Sequence, residues 1–229
     1  PFSSMCDYNE ICEYTCFNKQ IKEDTKLDDS TYGYSNLLNE KISDYSVVLA
    51  SKSPRRRELL SHIITDFKIV STDINEEFSP HLKINAIAQH IAEKKANFYL
   101  EKVKANEIYI TADTIVILNN KILGKPADEK DAFNMLKSLS DKSHLVHTGV
   151  SIIFNKKIHS FYDETKVTFY PLSNEEIKDY INRCQPFDKA GSYGIQDWMG
   201  FVGIKNMQGD FFNVMGLPLH KLYRKLNWL

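Results

Sequence analysis

The chain has 229 residues, of which 42% are hydrophobic and 26% are charged, and this composition is typical of a globular protein. Its net charge of -1 excludes a global electrostatic attraction for nucleic acids or acidic membranes, so anion binding must come from a local cluster of cations. No stretch approaches the roughly 18 apolar residues that a membrane helix needs. We therefore expect a cytoplasmic protein that binds neither nucleic acid nor a membrane.

The first part of the chain differs from the rest. Residues 1–44 are polar and lack periodicity, which predicts an N-terminal extension that is poorly ordered or variable, followed by one domain over residues 45–229. Cys6, Cys12 and Cys16 lie in this extension, and their spacing fits no zinc pattern, so we expect free thiols.

The domain opens with strands and helices in alternation. The apolar run SVVLA predicts a buried strand over Ser46–Ala50, and Ser53 followed by Pro54 is a typical start of a helix. A second strand is predicted over residues 67–72 and a long helix over residues 84–102. The predicted apolar stripe of that helix consists of Ile84, Ile87, Ala88, Ile91 and Phe98.

Hairpins interrupt this alternation in the second half. The predicted elements are, in order, a strand over 107–113, a hairpin over 115–123 that turns at Asn119 and Asn120, a helix over 128–139, a long hairpin formed by LVHTGVSIIF and KIHSFYDETKVTF, a helix opened by a capping box at Ser173, and a helix over 217–226. Because helices alternate with strands and hairpins are also present, the pattern predicts an α/β fold with a mixed sheet.

A cluster of arginines lies at the start of the first predicted helix. Arg55, Arg56 and Arg57 occupy its first turn, where the helix dipole disfavours cations. An anion bound there would meet backbone N–H groups, the dipole and the guanidinium groups together. The alternative is a solvated basic patch. The position directly after a buried strand and a Ser-rich turn favours anion binding.

Other polar residues allow both a functional and an ordinary structural interpretation when each is taken alone. Lys95 falls on the apolar stripe of the long helix, where a lysine is either paired with an acid or extends to solvent. Asp113 ends a predicted strand, so it either binds a metal or a water there or is a turn residue. Glu76, Lys125 and Gln196 are ordinary when taken alone. Together these residues supply cations for phosphates, acids for a metal and an amide for a base edge.

Eight motifs then occur in a fixed order. They are SKSPRRRELL (51–60), INEE (74–77), IAEKKA (91–96), ADTIV (112–116), GKP (124–126), HTGV (147–150), DKAGSYGIQ (188–196) and NVMGLPL (213–219). With this set the chain resembles the Maf family of nucleoside triphosphate pyrophosphatases over about residues 46–226. The resemblance implies a two-lobed α/β fold with a mixed sheet, similar to inosine triphosphatases, with the active-site cleft between the lobes. It also implies that a homodimer forms in many members.

The resemblance also assigns roles to residues. The residues that it implies for the triphosphate are Ser51, Ser53, Arg55 and Arg56. Those implied for catalysis are Asp113, Glu76, Lys95 and Lys125, with Asp113 and Glu76 also holding a divalent metal, Mg²⁺ or Mn²⁺. Arg57 falls at a variable position and receives no role.

The branch of the family is indicated by the motif DKAGSYGIQ together with NVMGLPL, which resembles the branch that acts on dTTP and UTP. In that branch the residues implied for substrate choice are Arg56, Thr114 and Gln196. The implied reaction is water attack on the α-phosphorus, with Asp113 as general base, giving the monophosphate and pyrophosphate. Two alternatives stay open: a regulatory nucleotide-binding protein of cell division without turnover, and an enzyme whose specificity has shifted toward CTP or modified nucleotides.

Overall fold

One seven-stranded sheet organises the chain, whose computed structural model describes residues 37–71 and 74–229. The strands are β1 (Ser46–Ala50), β2 (Lys68–Val70), β3 (Glu107–Leu118), β4 (Lys121–Leu123), β5 (Ser143–Phe154), β6 (Lys157–Phe169) and β7 (Ile204–Gln208). The α-helices of the described residues are α1 (Leu37–Lys41), α2 (Pro54–Ser61), α3 (Ile87–Leu100), α4 (Glu129–Leu139), α5 (Asn174–Cys184), α6 (Trp198–Val202), α7 (Phe211–Met215) and α8 (Leu219–Leu226).

The sheet combines parallel and antiparallel pairing. Its strand order is β2-β1-β3-β5-β6-β7, and the short β4 pairs with β3 beside this path. Strand β1 is parallel to both β2 and β3, whereas the pairs from β3 through β5 and β6 to β7 are antiparallel. The predicted α/β class with a mixed sheet is therefore confirmed.

Two apolar clusters lie on the same face of β3. Residues with even numbers on this strand point to that face, and Ile108, Ile110 and Ala112 belong to a cluster that packs beneath helices α2 and α8. Val116 and Leu118 belong to a second cluster, which helices α4 and α5 cover. The two clusters give the domain two halves on one continuous sheet, and Thr114 lies on β3 between them.

Helix α3 covers the opposite face of the sheet. Its buried face is centred on small residues, because Ala88, Ala92 and Ala96 are each fully buried against the strands. The prediction that Phe98 lies on the buried stripe is wrong, since Phe98 is 42% exposed and Tyr99 is the buried aromatic residue. The small residues let the helix lie close to the sheet, which places Phe98 at the margin, where Lys102 covers its ring.

Glycine in β5 makes this close packing possible. A Cβ atom added to Gly149 would lie 2.3 Å from the backbone nitrogen of Gln89 and 2.4 Å from the carbonyl of Ala88. The hydroxyl of Thr111 adds a hydrogen bond of 2.7 Å to the carbonyl oxygen of Ala92. Backbone contacts thus fix the height of α3 above β3 and β5.

Several local predictions are confirmed. Asn119 and Asn120 have positive φ values of 49° and 62° at the turn between β3 and β4, and β5 and β6 form the predicted long hairpin. Ser173 and Glu176 form a capping box at the start of α5. Strand β7 and helices α6 and α7 were not predicted, because they are short elements in a glycine-rich stretch.

Strand β3 differs from its prediction in a way that matters for the site. The sequence predicted a strand that ends at Asp113 and a separate hairpin from residue 115, but β3 is continuous from Glu107 to Leu118. Strand β5 pairs with it throughout residues 109–117 and carries it past the expected break. Asp113 is therefore a residue within a strand.

Helix α1 is the part of the predicted extension that the structure describes. Leu38 within it and Ile42 just after it are buried in the first apolar cluster. Residues 1–36, including Cys6, Cys12 and Cys16, lie outside the described residues, so the extension over 1–44 and its free thiols stay predictions. Within the described residues no helix combines the length and apolar character needed to cross a bilayer.

We expect Gly149→Ala to lower the free energy of unfolding by about 2 kcal/mol or more, because the new methyl group meets the backbone of α3. Urea denaturation measures this change. Gly124→Ala is the matched control, since a Cβ atom at Gly124 meets nothing within 4 Å. Equal stability of the two variants would contradict the close packing of α3.

Candidate active site

A cavity of about 630 Å³ contains all ten side chains that the sequence analysis selected. They are Ser51, Ser53, Arg55, Arg56, Glu76, Lys95, Asp113, Thr114, Lys125 and Gln196. A second cavity of about 760 Å³, next to β5 and β6, is lined by none of them. The first cavity is therefore the candidate site.

The cavity opens where β3 has a partner on one side only. Pairing with β1 ends at Ile110, and pairing with β4 begins at Val116. Among the described strands, only β5 pairs with the intervening residues 111–115. Because successive side chains alternate across a strand, Asp113 and Thr114 point to opposite faces while both line the open edge.

The turn from β1 into α2 supplies hydroxyl groups. Ser53 caps α2, and its side-chain oxygen accepts a hydrogen bond of 3.4 Å from the backbone N–H of Arg56. The Ser51 oxygen accepts a bond of 3.2 Å from the backbone N–H of Ser53. Since these oxygens act as acceptors within the turn, each hydroxyl hydrogen can still be donated to an anion.

Arg56 is held by contacts from three parts of the chain. Its Nε donates to the carbonyl oxygen of Gly216 at 2.8 Å, and its Nη2 donates to the Thr114 hydroxyl at 2.9 Å. Its Nη1 donates to the Ser51 oxygen at 3.3 Å. Burial lowers the pKa of Arg56, with the charge of Asp113 opposing this effect, but an arginine stays protonated in proteins.

The hydroxyl of Thr114 connects Arg56 to the C-terminal segment through hydrogen bonds. It bonds the hydroxyl of Thr148 at 3.0 Å, which in turn donates to the carbonyl oxygen of Asn213 at 2.9 Å. The fully buried amide of Asn213 donates to the hydroxyl of Thr165 at 2.8 Å. A buried polar network thus ties α7, and the Gly216 carbonyl after it, to the central strands.

Three charged residues meet at the other side of the open edge. The ammonium nitrogen of Lys95 lies 2.7 Å from Oδ1 of Asp113 and 2.8 Å from Oε1 of Glu76. The side chains of Lys95 and Asp113 are 15% and 13% exposed, whereas that of Glu76 is 57% exposed. Lys95 is therefore paired with acids, and it does not extend past the core to solvent.

The two acids differ in their tendency to ionise. Burial raises the pKa of Asp113, although the charges of Lys95 and Arg56 act in the opposite direction. Burial also opposes ionisation of Glu76, but the hydrogen bond from Lys95 and the charges of Lys95 and Lys125 outweigh it and lower the pKa of Glu76. Asp113 is thus the acid whose proton affinity is increased.

Gln196 and Lys125 complete the predicted set from two further segments. Gln196 lines the cavity, and its Oε1 atom is buried and has no hydrogen-bond partner within the described residues. Lys125 is exposed at the rim, where its charge acts on Glu76. Arg57, which received no role, is exposed and is not part of the lining.

Among the lining residues that were not selected from the sequence are two that form an ion pair with each other. Asp188 and Lys189 belong to the quoted motif DKAGSYGIQ but were assigned no role. The carboxylate of Asp188 lies 2.6 Å from Nη1 of Arg55 and 2.9 Å from Nζ of Lys189. Nothing in the local sequence pattern relates residues 55 and 188, since they meet only through the fold.

The donor set suits a hard divalent cation. Asp113 and Glu76 direct carboxylate oxygens to one point, the Lys95 ammonium, and oxygen ligands are those that Mg²⁺ prefers. A separate group, formed by Asp163, Asp210 and His220, also has potential ligand atoms within 4.8 Å of one another. In that group Lys221 pairs with Asp163, and both oxygens of Asp210 cap α7.

The chain therefore has a mixed α/β sheet with a cavity in which cations face paired acids at an open strand edge, an arrangement that suits a phosphorylated ligand. The chain belongs to the Maf-like protein family, whose match covers residues 46–229.

Named relatives are similar over most of the chain. A dTTP/UTP pyrophosphatase of Flavobacterium johnsoniae is 45% identical over 193 residues, which cover 84% of this chain and 100% of the relative. A dTTP/UTP pyrophosphatase of Bacteroides thetaiotaomicron is 43% identical over 189 residues, covering 82% and 98%. Among solved structures, the Staphylococcus aureus Ham1 protein has 13% identity and a TM-score of 0.48, with 80% of this chain and 98% of that chain covered.

We expect the pKa of Asp113 to lie above the usual aspartate value of 3.8 and to rise further in Lys95→Met, because this variant removes a charge and a hydrogen bond that favour the carboxylate. Titration of the carboxyl carbon by NMR measures both values. Lys94→Met is the matched control, since Lys94 contacts the carbonyl of Glu77 and does not line the cavity. An equal or lower pKa in Lys95→Met would contradict the pairing.

Proposed function

We propose that the protein hydrolyses dTTP and UTP between the α- and β-phosphates and releases the nucleoside monophosphate and pyrophosphate. The observation that carries this proposal is the convergence of Arg55, Arg56, Lys95, Asp113 and Glu76 on one cavity. The printed names of the relatives, dTTP/UTP pyrophosphatase, supply the substrate class.

The phosphate chain would lie along the start of α2. Ser51 and Ser53 would donate their hydroxyl hydrogens to phosphate oxygens, and Arg55 and Arg56 would add charged donors. Lys125 at the rim would add a further positive charge opposite them. Such donors lower the barrier when they stabilise the charge that develops on the leaving pyrophosphate.

Asp113 would act as general base. Its burial raises the pKa, which strengthens the carboxylate as a proton acceptor for the attacking water, while Lys95 at 2.7 Å favours the ionised form and fixes its position. The proton would move from water to Asp113 as the water oxygen attacks the α-phosphorus. The bond from that phosphorus to the bridging oxygen then breaks, and pyrophosphate leaves.

A divalent ion, Mg²⁺ or Mn²⁺, fits the oxygen donors of Asp113 and Glu76. When bound, it would neutralise phosphate charge and make the water more acidic. The exposed Glu76 side chain, which pairs with Lys95, would have room to reorient toward the ion.

Base choice would rest on Gln196 and on the segment that Arg56 and Thr114 hold in place. Thymine and uracil carry an N3–H donor, and Oε1 of Gln196, which has no partner among the described residues, would accept this hydrogen bond once the amide turns its oxygen toward the base. Cytosine carries an acceptor at N3, so two acceptors would face each other.

The homodimer and the cytoplasmic location stay predictions, and sedimentation at micromolar concentrations would measure the oligomeric state.

The proposed reaction predicts monophosphate and pyrophosphate in equal amounts from dTTP and UTP with Mg²⁺ or Mn²⁺. Chromatography of the products across a panel of nucleotides, including CTP and modified bases, measures this. Chelation with EDTA and the variant Asp113→Asn should each lower the rate, the variant by about a hundredfold to ten-thousandfold. Orthophosphate as the first product would exclude α–β cleavage, and nucleotide binding without any product would favour the regulatory alternative.

Gln196→Met should lower kcat/KM for dTTP and UTP by about tenfold to a hundredfold, because a side chain of similar size loses the acceptor for N3–H. The preference for dTTP over dCTP should narrow in the same variant. Gln208→Met on the exposed side of β7 is the control and should leave both values unchanged. An unaltered preference in Gln196→Met would remove Gln196 from base recognition.

A further inference from the structure

One carboxylate, that of Asp188, occupies two cations of the candidate site. Its Oδ2 lies 2.6 Å from Nη1 of Arg55, and its Oδ1 lies 2.9 Å from Nζ of Lys189. The main-chain oxygen of Asp188 adds a contact of 3.5 Å to Nη2 of Arg55. All three residues line the cavity. An acid that takes one cation with each oxygen makes the contacts that two phosphate oxygens would make.

The three side chains differ in exposure in a way that indicates which of them can move. Those of Arg55 and Lys189 are 21% and 12% exposed, so the cations belong to the wall of the cavity. The side chain of Asp188 is 54% exposed, so it reaches the cations from the mouth. Lys189 also lies 3.6 Å from Oδ2 of Asp197, and this second acid would hold the ammonium in place if Asp188 moved away.

The charge of Asp188 is maintained at neutral pH. Burial opposes its ionisation, but hydrogen bonds from Lys189 and Arg55 outweigh that effect and lower its pKa. A negative charge therefore stands where a polyphosphate would place its own negative charges. Like charges a few ångströms apart repel, and partial screening by solvent reduces but does not cancel this repulsion.

We propose that Asp188 is an internal competitor for the pyrophosphate group, which holds Arg55 and Lys189 in the empty site and yields them when a phosphate chain binds. The proposal rests on the proposed function in taking Arg55 as a phosphate ligand. Asp188 thereby weakens the binding of pyrophosphate, the product that must leave, and keeps the two cations ordered between turnovers. The step is an exchange of ion pairs and makes or breaks no covalent bond.

The direction in which anion affinity changes when Asp188 is removed distinguishes competition from a purely structural role. If Asp188 only tied α2 to the segment that carries Gln196, its removal would loosen Arg55, and anions would bind more weakly. If Asp188 competes with the anion, its removal frees two cations and deletes a repulsive charge, and anions bind more tightly.

We expect Asp188→Asn to bind inorganic pyrophosphate about threefold to thirtyfold more tightly than the unmodified chain, as calorimetry at fixed ionic strength and with EDTA present would measure. Inhibition of dTTP hydrolysis by pyrophosphate should strengthen by the same factor. Asp188→Glu, which keeps the charge, should bind pyrophosphate with close to the original affinity. Unchanged or weaker binding by Asp188→Asn would overturn the proposal.

Asp179→Asn is the matched control, because it removes the same charge from an exposed ion pair with Arg183 on α5, outside the cavity lining. This control variant should leave the affinity for pyrophosphate unchanged. An equal gain in affinity would mean that the effect of Asp188→Asn comes only from the change in net charge, and it would contradict the proposal. Asp188→Ser makes the same charge change if the Asn variant does not fold.

Failure of the proposed competition can be distinguished from failure of the proposed reaction. If the unmodified chain cleaves neither dTTP nor UTP while Asp188→Asn still binds pyrophosphate more tightly, the reaction is wrong and the competition stands. If dTTP is cleaved but the affinity for pyrophosphate does not rise, the reaction stands and the competition is wrong.

Discussion

The backbone of β3 loses its partner on one side between the end of β1 and the start of β4, while β5 continues to pair with it on the other side. This interruption leaves five residues of a central strand open to a ligand without leaving the strand itself unsupported. Because the side chains of the strand alternate, the same short stretch directs Asp113 toward α3 and Thr114 toward α2 and α7. Asp113, the proposed general base, and Thr114, which holds Arg56, are therefore neighbours in sequence and lie on different faces of the sheet.

Charge balance around this open edge follows from burial. Asp113 is nearly buried and would be costly to ionise alone, so Lys95 on α3 and the charge of Arg56 on α2 compensate it from two directions. Each cation keeps its position relative to Asp113 because it is itself restrained. The close packing of α3 restrains Lys95, and three hydrogen bonds restrain Arg56. Arg55 and Lys189 face an exposed acid, Asp188, and these are the ion pairs that we propose a phosphate chain replaces.

Much of the fold could be predicted from the sequence because local rules apply to it. The cap at Ser53, the turn at Asn119 and Asn120 and the capping box at Ser173 depend on neighbouring residues, and all three are present. The continuity of β3 could not be predicted, since it comes from pairing with β5, where the partner of Asp113 is Gly149, 36 positions further along the chain. Phe98 was misplaced because the pattern of apolar residues does not reveal that alanines bring α3 close to the sheet.

The candidate site divides in the same way. Individually, Lys95 and Asp113 allowed ordinary interpretations, and only the order of the eight motifs indicated that both belong to one site. The pair of Arg55 and Asp188 left no trace in the sequence pattern, because an ion pair between residues far apart in the chain has no periodicity. The lack of a partner for Oε1 of Gln196 among the described residues is likewise a property of the folded cavity.

The contact of Gly149 with α3 has a consequence for how such a protein can diversify. Backbone atoms of α3 lie against Gly149 and set the distance of Lys95 from β3, whereas Lys125 and Asp188 reach the rim of the cavity with exposed side chains. The position of Lys95 beside Asp113 thus depends on backbone packing, whereas the rim of the cavity is formed by exposed side chains. Replacement of side chains at the rim can therefore change what the cavity admits, while backbone packing keeps Lys95 and Asp113 at the same distance from each other.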